Sequence, residues 1–230
     1  MNEKDVFPRM KYKLARVALL SALCLSSLPA AWAGAYDDLI KAAKLGDNAT
    51  IFALLRRGAD INTTDIEGNT LLMIAVRENN PVLAESLIQN RAQLEARNRA
   101  GDTALRLAAY KGNLPLVQKL VEAGAQVNTS GWTPLIYAAF NGHLDTVDYL
   151  LKHGANSDAS SENGSTALMV AARNGHIEVV RRLLTARAAV NRKNDQQQTA
   201  LDLAIQNNQT DIRNLLQAAG AASGKANAGS

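Results

Sequence analysis

GWTPLIYAAFNGH, residues 131–143, is one copy of a unit that repeats along this 230-residue chain. Its Thr-x-Leu step, from Thr133 to Leu135, has four counterparts, and each places a threonine two residues before a leucine. The five threonines are Thr70, Thr103, Thr133, Thr166 and Thr199, and their spacings are 33, 30, 33 and 33 residues. A period near 33 residues predicts a solenoid of stacked units rather than a globular enzyme core.

The residues of this unit have separate physical roles. The threonine caps a first helix through its side-chain oxygen, and Pro134 suits the first helical position because that position needs no N–H donor. Gly142 permits a left-handed turn before the second helix. The Leu150-Leu151 pair of that helix is expected to pack against neighbouring units, because no unit buries its apolar face alone.

Two longer stretches carry a family resemblance: GWTPLIYAAFNGHLDTVDYLLKHGAN from residue 131 and GSTALMVAARNGHIEVVRRLL from residue 164. The chain resembles ankyrin-repeat proteins, which implies an all-α solenoid of helix-turn-helix units joined by β-hairpin fingers. The resemblance covers residues 34–219, with six repeats at about 35–63, 64–96, 97–128, 129–159, 160–192 and 193–219. The first and last repeats are interpreted as caps, and the tail at 220–230 is expected to be disordered. The 30-residue spacing predicts that one central finger is three residues short.

The first 33 residues have the three parts of a secretory signal peptide. A basic segment with Lys11, Lys13 and Arg16 precedes an apolar run at 17–28, and the small-x-small site Ala31-Trp32-Ala33 follows. The apolar run is shorter than the roughly 20 residues that span a bilayer. We therefore predict cleavage after Ala33, with an uncleaved anchor as the alternative.

Cleavage changes the composition of the chain. The signal contains five basic and two acidic residues. The 25 basic and 21 acidic residues of the full chain therefore become 20 basic and 19 acidic residues in the mature chain. This near-neutrality removes the charge argument for binding nucleic acid or an anionic membrane surface. Cys24, the single cysteine, leaves with the signal, so packing alone must hold the mature chain together.

The sequence contains no constellation that predicts catalysis. Its three histidines, His143, His153 and His176, lie where ankyrin repeats commonly carry histidine for hydrogen bonding. No histidine pair has i, i+4 ligand spacing, no serine lies in a nucleophile elbow, and no glycine-rich phosphate loop occurs. We predict a protein that is not an enzyme and has no catalytic residue, cofactor or metal.

The resemblance implies that a partner protein docks on the finger tips and on the exposed ends of the first helices. Three aromatic residues fall at such positions in two adjacent central repeats, with arginines on both sides, which is the composition of a binding hot spot. The predicted protein-binding residues are Trp132, Phe140, Tyr110, Asn141, Arg77, Arg173, Lys111 and Arg99. Trp132 is expected to be exposed, because the equivalent residues of the other repeats are polar. The alternative is that Phe140 and Tyr110 merely pack against neighbouring helices.

The predicted function is that of a monomeric, non-catalytic scaffold that binds another protein, with no nucleic acid and no membrane insertion after cleavage. The signal resembles those of Gram-negative bacteria, which favours the periplasm, with secretion beyond it as the alternative. Small exported bacterial ankyrin proteins that this chain resembles include some that are associated with peroxide defence and act alongside a catalase. Others resemble immunity proteins that neutralise a toxin delivered into the periplasm, and a third class comprises secreted effectors that bind host proteins. The sequence does not choose among these three.

Overall fold

The computed structural model describes residues 30–224, and this part of the chain forms twelve α-helices with almost no β-structure. The helices are α1 Ala30–Leu45, α2 Asn48–Arg56, α3 Leu71–Arg77, α4 Pro81–Gln89, α5 Ala104–Lys111, α6 Leu114–Glu122, α7 Pro134–Phe140, α8 Leu144–Lys152, α9 Ala167–Asn174, α10 Ile177–Thr185, α11 Ala200–Gln206 and α12 Thr210–Ala218. The predicted all-α solenoid is confirmed.

Successive helices pair into six units, and the units stack in chain order. The first helices, α1, α3, α5, α7, α9 and α11, each contact the next and form one layer. The second helices from α4 to α12 contact one another in the same order and form the other layer. Each unit therefore packs mainly on its two neighbours, as a solenoid requires.

The repeated threonines cap the first helices as the sequence predicts. Each hydroxyl oxygen accepts a hydrogen bond from the backbone N–H three residues later, for example Ile136 N to Thr133 Oγ1 at 3.2 Å. The same cap occurs at Thr70, Thr103, Thr166 and Thr199. These caps satisfy a helical donor that would otherwise lack a partner, and so fix where each first helix begins.

One continuous apolar core runs through the stack. Alanine pairs such as Ala138-Ala139 are fully buried, so adjacent first helices approach closely. The paired leucines of the second helices divide their roles, because Leu150 is fully buried whereas Leu151 is only partly buried against the core. Both leucines therefore pack against the core, but only Leu150 does so with no exposed surface.

Two histidines, His143 and His176, each connect their own repeat to the preceding one. The His143 ring lies over Gly112, whose φ of +66° and missing Cβ leave room for the imidazole. His143 Nε2 donates to the carbonyl oxygen of Tyr110 at 2.9 Å, and His176 Nε2 donates to that of Phe140 at 2.9 Å. A carbonyl only accepts, so Nε2 carries the proton in both rings. The predicted structural role of these histidines is confirmed.

The fingers show where the array is interrupted. In four of them a backbone N–H donates to the carbonyl four residues later, as from Asn98 to Asp102 at 3.1 Å. Neighbouring fingers are also joined, as by Arg99 N to Glu67 O at 2.9 Å. Within the described chain, residues 127–132 make neither kind of backbone bond. The short central finger therefore leaves a gap in the row of fingers, which we call the finger gap.

The C-terminal segment departs from the predicted disorder. Ala222 N donates to Asn191 Oδ1 at 2.7 Å, and the same bond closes an earlier unit, from Gln93 N to Asn62 Oδ1 at 2.8 Å. Ser223 Oγ and Gly224 N then donate to the two carboxylate oxygens of Asp202, at 2.6 and 2.7 Å. The prediction of a disordered tail is thus wrong for 220–224, and residues 225–230 lie outside the described part of the chain.

The predicted signal peptide falls mostly outside the described residues. Its last four residues, 30–33, form the start of α1. Among the helices at 30–224, none combines the length and the apolar character needed to cross a bilayer. Cleavage after Ala33 stays a prediction.

Candidate protein-binding surface

Four aromatic rings from two adjacent repeats form one connected group, which we call the aromatic cluster: Tyr110, Trp132, Tyr137 and Phe140. The centroids of Trp132 and Phe140 are 5.6 Å apart at 73°, and those of Trp132 and Tyr137 are 5.1 Å apart at 42°. Tyr110 meets Tyr137 edge to face at 5.7 Å and 88°. These are favourable geometries for aromatic pairs. The structure therefore brings the three predicted aromatic residues together, and Tyr137 links them.

The rings of the cluster differ in exposure. Tyr110 is 47% exposed, so helix packing alone does not account for it. Trp132, Tyr137 and Phe140 are partly buried and pack against the core. The expectation that Trp132 is exposed is therefore met only in part. The indole lies in the finger gap, where it packs on two rings and keeps part of its surface in solvent.

The backbone of the cluster is fixed by the following repeats. Asn141 Nδ2 donates to the Tyr110 carbonyl at 2.7 Å, beside the bond from His143. Asn174 Nδ2 donates in the same way to the Phe140 carbonyl at 2.8 Å. Asn141, predicted as a binding residue, thus holds Tyr110 in place with its amide nitrogen. The rings are presented on a pre-organised backbone.

Arg106 fills the finger gap and was missed by the sequence reasoning. The side chain is only 4% exposed, and Nη1 donates to the Gly101 carbonyl at 2.7 Å. Nε and Nη2 donate to Thr129 Oγ1 at 3.2 and 3.0 Å, and Nη2 also donates to the Ser130 carbonyl. Burial lowers the pKa of Arg106, and the charge of Arg97 lowers it further. The guanidinium replaces the backbone bonds that the short finger cannot make.

A second polar contact connects the cluster to the preceding repeat. Tyr137 Oη donates to Asp102 Oδ1 at 2.9 Å and so connects α7 to the finger of the preceding repeat. Burial, together with this hydrogen bond, raises the pKa of Tyr137 to about 12. The hydroxyl therefore stays protonated at neutral pH and keeps donating to the carboxylate.

Cations border the cluster. The Arg173 guanidinium lies 5.8 Å from the centroid of the Phe140 ring, within the range of a cation–π contact. Lys111 is exposed directly after Tyr110, and Arg99 is exposed in the neighbouring finger. Arg77 instead pairs with Glu67 at 3.1 Å inside the second repeat. Arg173 therefore contacts the cluster. Lys111 and Arg99 belong to the repeat that contributes Tyr110. Arg77 is paired elsewhere and does not contact the cluster.

Removing the guanidinium from the finger gap should destabilise the protein. We expect Arg106→Met, which installs the residue found at the equivalent positions 73 and 169, to lower the free energy of unfolding by roughly 1–3 kcal/mol, because the Gly101 and Ser130 carbonyls and the Thr129 hydroxyl lose a charged donor. Urea denaturation followed by circular dichroism measures the change. Lys111→Met, at an exposed position, is the matched control and should shift stability by less than about 0.5 kcal/mol. Equal effects of the two substitutions would refute the role of Arg106.

Within residues 30–224, no group of three or more His, Cys, Asp or Glu side chains is arranged to hold a metal ion. The prediction that the chain is not an enzyme stays a prediction.

Comparison with protein families gave one result. A family model for ankyrin repeats, spanning three copies, matches residues 39–130, 84–161 and 155–227. These matches overlap and together cover most of the sequence. The comparison with curated proteins gave no match.

Proposed function

The chain belongs to the ankyrin-repeat family, and on that premise we propose that it is a monomeric, non-catalytic scaffold that binds another protein through the aromatic cluster. Ankyrin repeats act as protein-interaction modules. The observation that carries the proposal is the cluster itself: four connected rings at the one gap in the described fingers, with Tyr110 exposed and Arg173 over Phe140.

The energetics of docking favour this surface. Aromatic side chains with arginine nearby contribute a disproportionate share of binding free energy at protein interfaces. The rings already contact each other, and amide and histidine donors hold the Tyr110 and Phe140 carbonyls. Less conformational entropy is therefore lost when a partner covers them.

A pull-down tests the proposal. Mature protein starting at Gly34 is used as bait in periplasmic and whole-cell extracts, in parallel with the variants Trp132→Ala and Ile66→Ala. Ile66 is an exposed apolar fingertip residue, 79% exposed, in the second repeat, and serves as the matched control. A partner that mass spectrometry finds with the wild type and Ile66→Ala, but not with Trp132→Ala, supports the proposal. A partner lost only with Ile66→Ala would move the site to the N-terminal repeats.

We also propose that the protein acts in the periplasm, because residues 1–33 have the pattern of a secretory signal peptide. Peroxide defence alongside a catalase is the context proposed first. Immunity against a periplasm-delivered toxin and a host-directed effector role, which requires secretion beyond the periplasm, are the alternatives. The identity of the captured partner distinguishes these three contexts. A catalase-associated protein indicates peroxide defence, a toxin indicates immunity, and a host protein indicates an effector role.

Export has its own test. We predict that the mature protein begins at Gly34, because Ala31-Trp32-Ala33 is the first small-x-small site after the apolar run. Mass spectrometry of the N-terminal peptide from fractionated cells reads the cleavage point directly. Retention of Met1, or recovery of the protein from the cytoplasm, would contradict the periplasmic location.

A further inference from the structure

Charge is distributed unevenly over a segment that is neutral as a whole. Residues 30–224 contain 19 Lys or Arg and 19 Asp or Glu side chains. The fingers and first helices of the three repeats around the aromatic cluster, at 97–111, 130–143 and 160–174, carry an excess of positive charge. Five cations lie there, Arg97, Arg99, Arg106, Lys111 and Arg173, against two carboxylates, Asp102 and Glu162.

The two carboxylates are engaged by the protein itself. Asp102 accepts the hydroxyl hydrogen of Tyr137. Glu162 leans against the short finger, where its Oε1 occupies the space that a Cβ on Gly131 would take. Both carboxylates also stabilise the charge of the buried Arg106. Their negative charge is therefore compensated inside the finger gap.

The exposed cations, in contrast, lack carboxylate partners. Arg97, Arg99 and Lys111 take part in none of the six ion pairs found within residues 30–224. Arg173 takes part in none of these ion pairs either; its guanidinium lies near the Phe140 ring, and its Nε is 3.3 Å from the side-chain oxygen of Asn174. A protein that covers the aromatic cluster would desolvate some of these cations. That desolvation is unfavourable unless the partner supplies anions.

We propose that the partner docks with an acidic segment that carries one large apolar side chain. The apolar side chain packs on Tyr110 and Trp132, and carboxylates on either side of it pair with Lys111 and Arg99 and with Arg173. This inference rests on the proposed function and adds the chemistry of the partner to it.

A nucleic acid is a poorer fit to the same surface. Stacking of bases requires accessible ring faces, and here three of the four rings are partly buried against each other. A phosphate backbone would also meet Asp102 and Glu162, and it offers no apolar side chain for the cluster. Competition by an oligonucleotide is therefore an outcome that would overturn the proposal.

The experiment is a selection from a random peptide library displayed on phage, with the mature chain as target. It is repeated on a triple variant, Arg99→Glu with Lys111→Glu and Arg173→Glu, and on a charge-matched triple variant of second-helix residues, Arg56→Glu with Arg181→Glu and Arg213→Glu. All six positions are exposed. Circular dichroism and thermal melts check that both variants fold.

We expect the enriched peptides to be acidic and to contain a large apolar residue. The best peptide should bind the first triple variant at least about tenfold more weakly and the second variant unchanged. Its affinity for the wild type should fall as NaCl rises from about 50 to about 300 mM. Enrichment of basic or uncharged peptides, no enrichment of acidic ones, equal binding to both triple variants, or displacement by single-stranded DNA would each overturn the inference.

Failure of this inference is distinguishable from failure of the proposed function. A captured partner that requires Trp132 but binds the first triple variant normally overturns the acidic-segment proposal and leaves the scaffold function standing. A captured partner that does not require Trp132 overturns the proposed site itself.

Discussion

Replacing Leu150 by alanine should lower the free energy of unfolding by about 2–5 kcal/mol, the range measured for large-to-small changes at buried leucines. Leu150 lies in α8 with no exposed surface, and α8 contacts both α6 and α10. A cavity there weakens the interfaces on both sides of the fourth repeat, and a solenoid depends on such neighbour interfaces. Urea unfolding monitored by circular dichroism gives the change.

The next residue provides the control. Leu151 has the same chemistry but is only partly buried, so Leu151→Ala should destabilise the protein clearly less. If the two alanine variants unfold at the same urea concentration, the assignment of Leu150 to the continuous core is wrong.

Replacing Trp132 by alanine should weaken partner binding by roughly 2 kcal/mol or more, about a thirtyfold rise in Kd. The indole contacts both Tyr137 and Phe140, so its loss removes one anchor and loosens two others. Because Trp132 is partly buried, we also expect a loss of about 1–2 kcal/mol in stability, larger than an exposed position would give. Isothermal titration calorimetry with the captured partner measures the Kd.

Trp132→Phe separates the two effects. It keeps an aromatic ring on Tyr137 and should restore most of the stability, while binding stays intermediate. A Trp132→Ala protein that unfolds at room temperature, with normal binding by Trp132→Phe, would make the tryptophan a core residue and not an anchor.

The repeat pattern predicted most of the fold, because the features it contains depend on residues that are close together in the chain. A threonine cap needs only the three residues after it, as in Thr133 to Ile136, so its position fixes the start of each first helix. The 30-residue spacing likewise reported the missing finger residues directly. The same spacing marked five of the six units, and the first unit, which lacks the threonine, came from the family resemblance.

Burial at the finger positions could not be predicted in the same way. Polar residues at the positions equivalent to Trp132, such as Asn69 and Gln198, suggested a solvent-facing site. In the structure both are buried, since Asn69 Nδ2 donates to Asp65 and Gln198 N donates to Asn194 inside their own fingers. Polarity there reflects hydrogen bonding within the finger and not exposure.

Two further differences have long-range causes. Arg106 occupies a position that is apolar in three other repeats, and its role depends on the short finger that lies 23 residues further along the chain. The sequence contains a pattern that indicates the ordered residues after 219, because Gly220-Ala221 repeats the Gly154-Ala155 step that ends an earlier unit. The bonds to Asp202 beyond that step involve residues about 20 positions apart, which no local pattern indicates.

The most direct test of the central claim uses Trp132 as its own reporter. The sequence has two tryptophans, Trp32 and Trp132, so a protein that begins at Gly34 contains one. Labelling with 5-fluorotryptophan gives a single ¹⁹F NMR signal from the aromatic cluster, and an unlabelled partner contributes none. We predict that adding the captured partner shifts or broadens this signal saturably, with the Kd that calorimetry gives. A signal that is unchanged when calorimetry shows full occupancy would contradict the claim that the partner binds at the aromatic cluster.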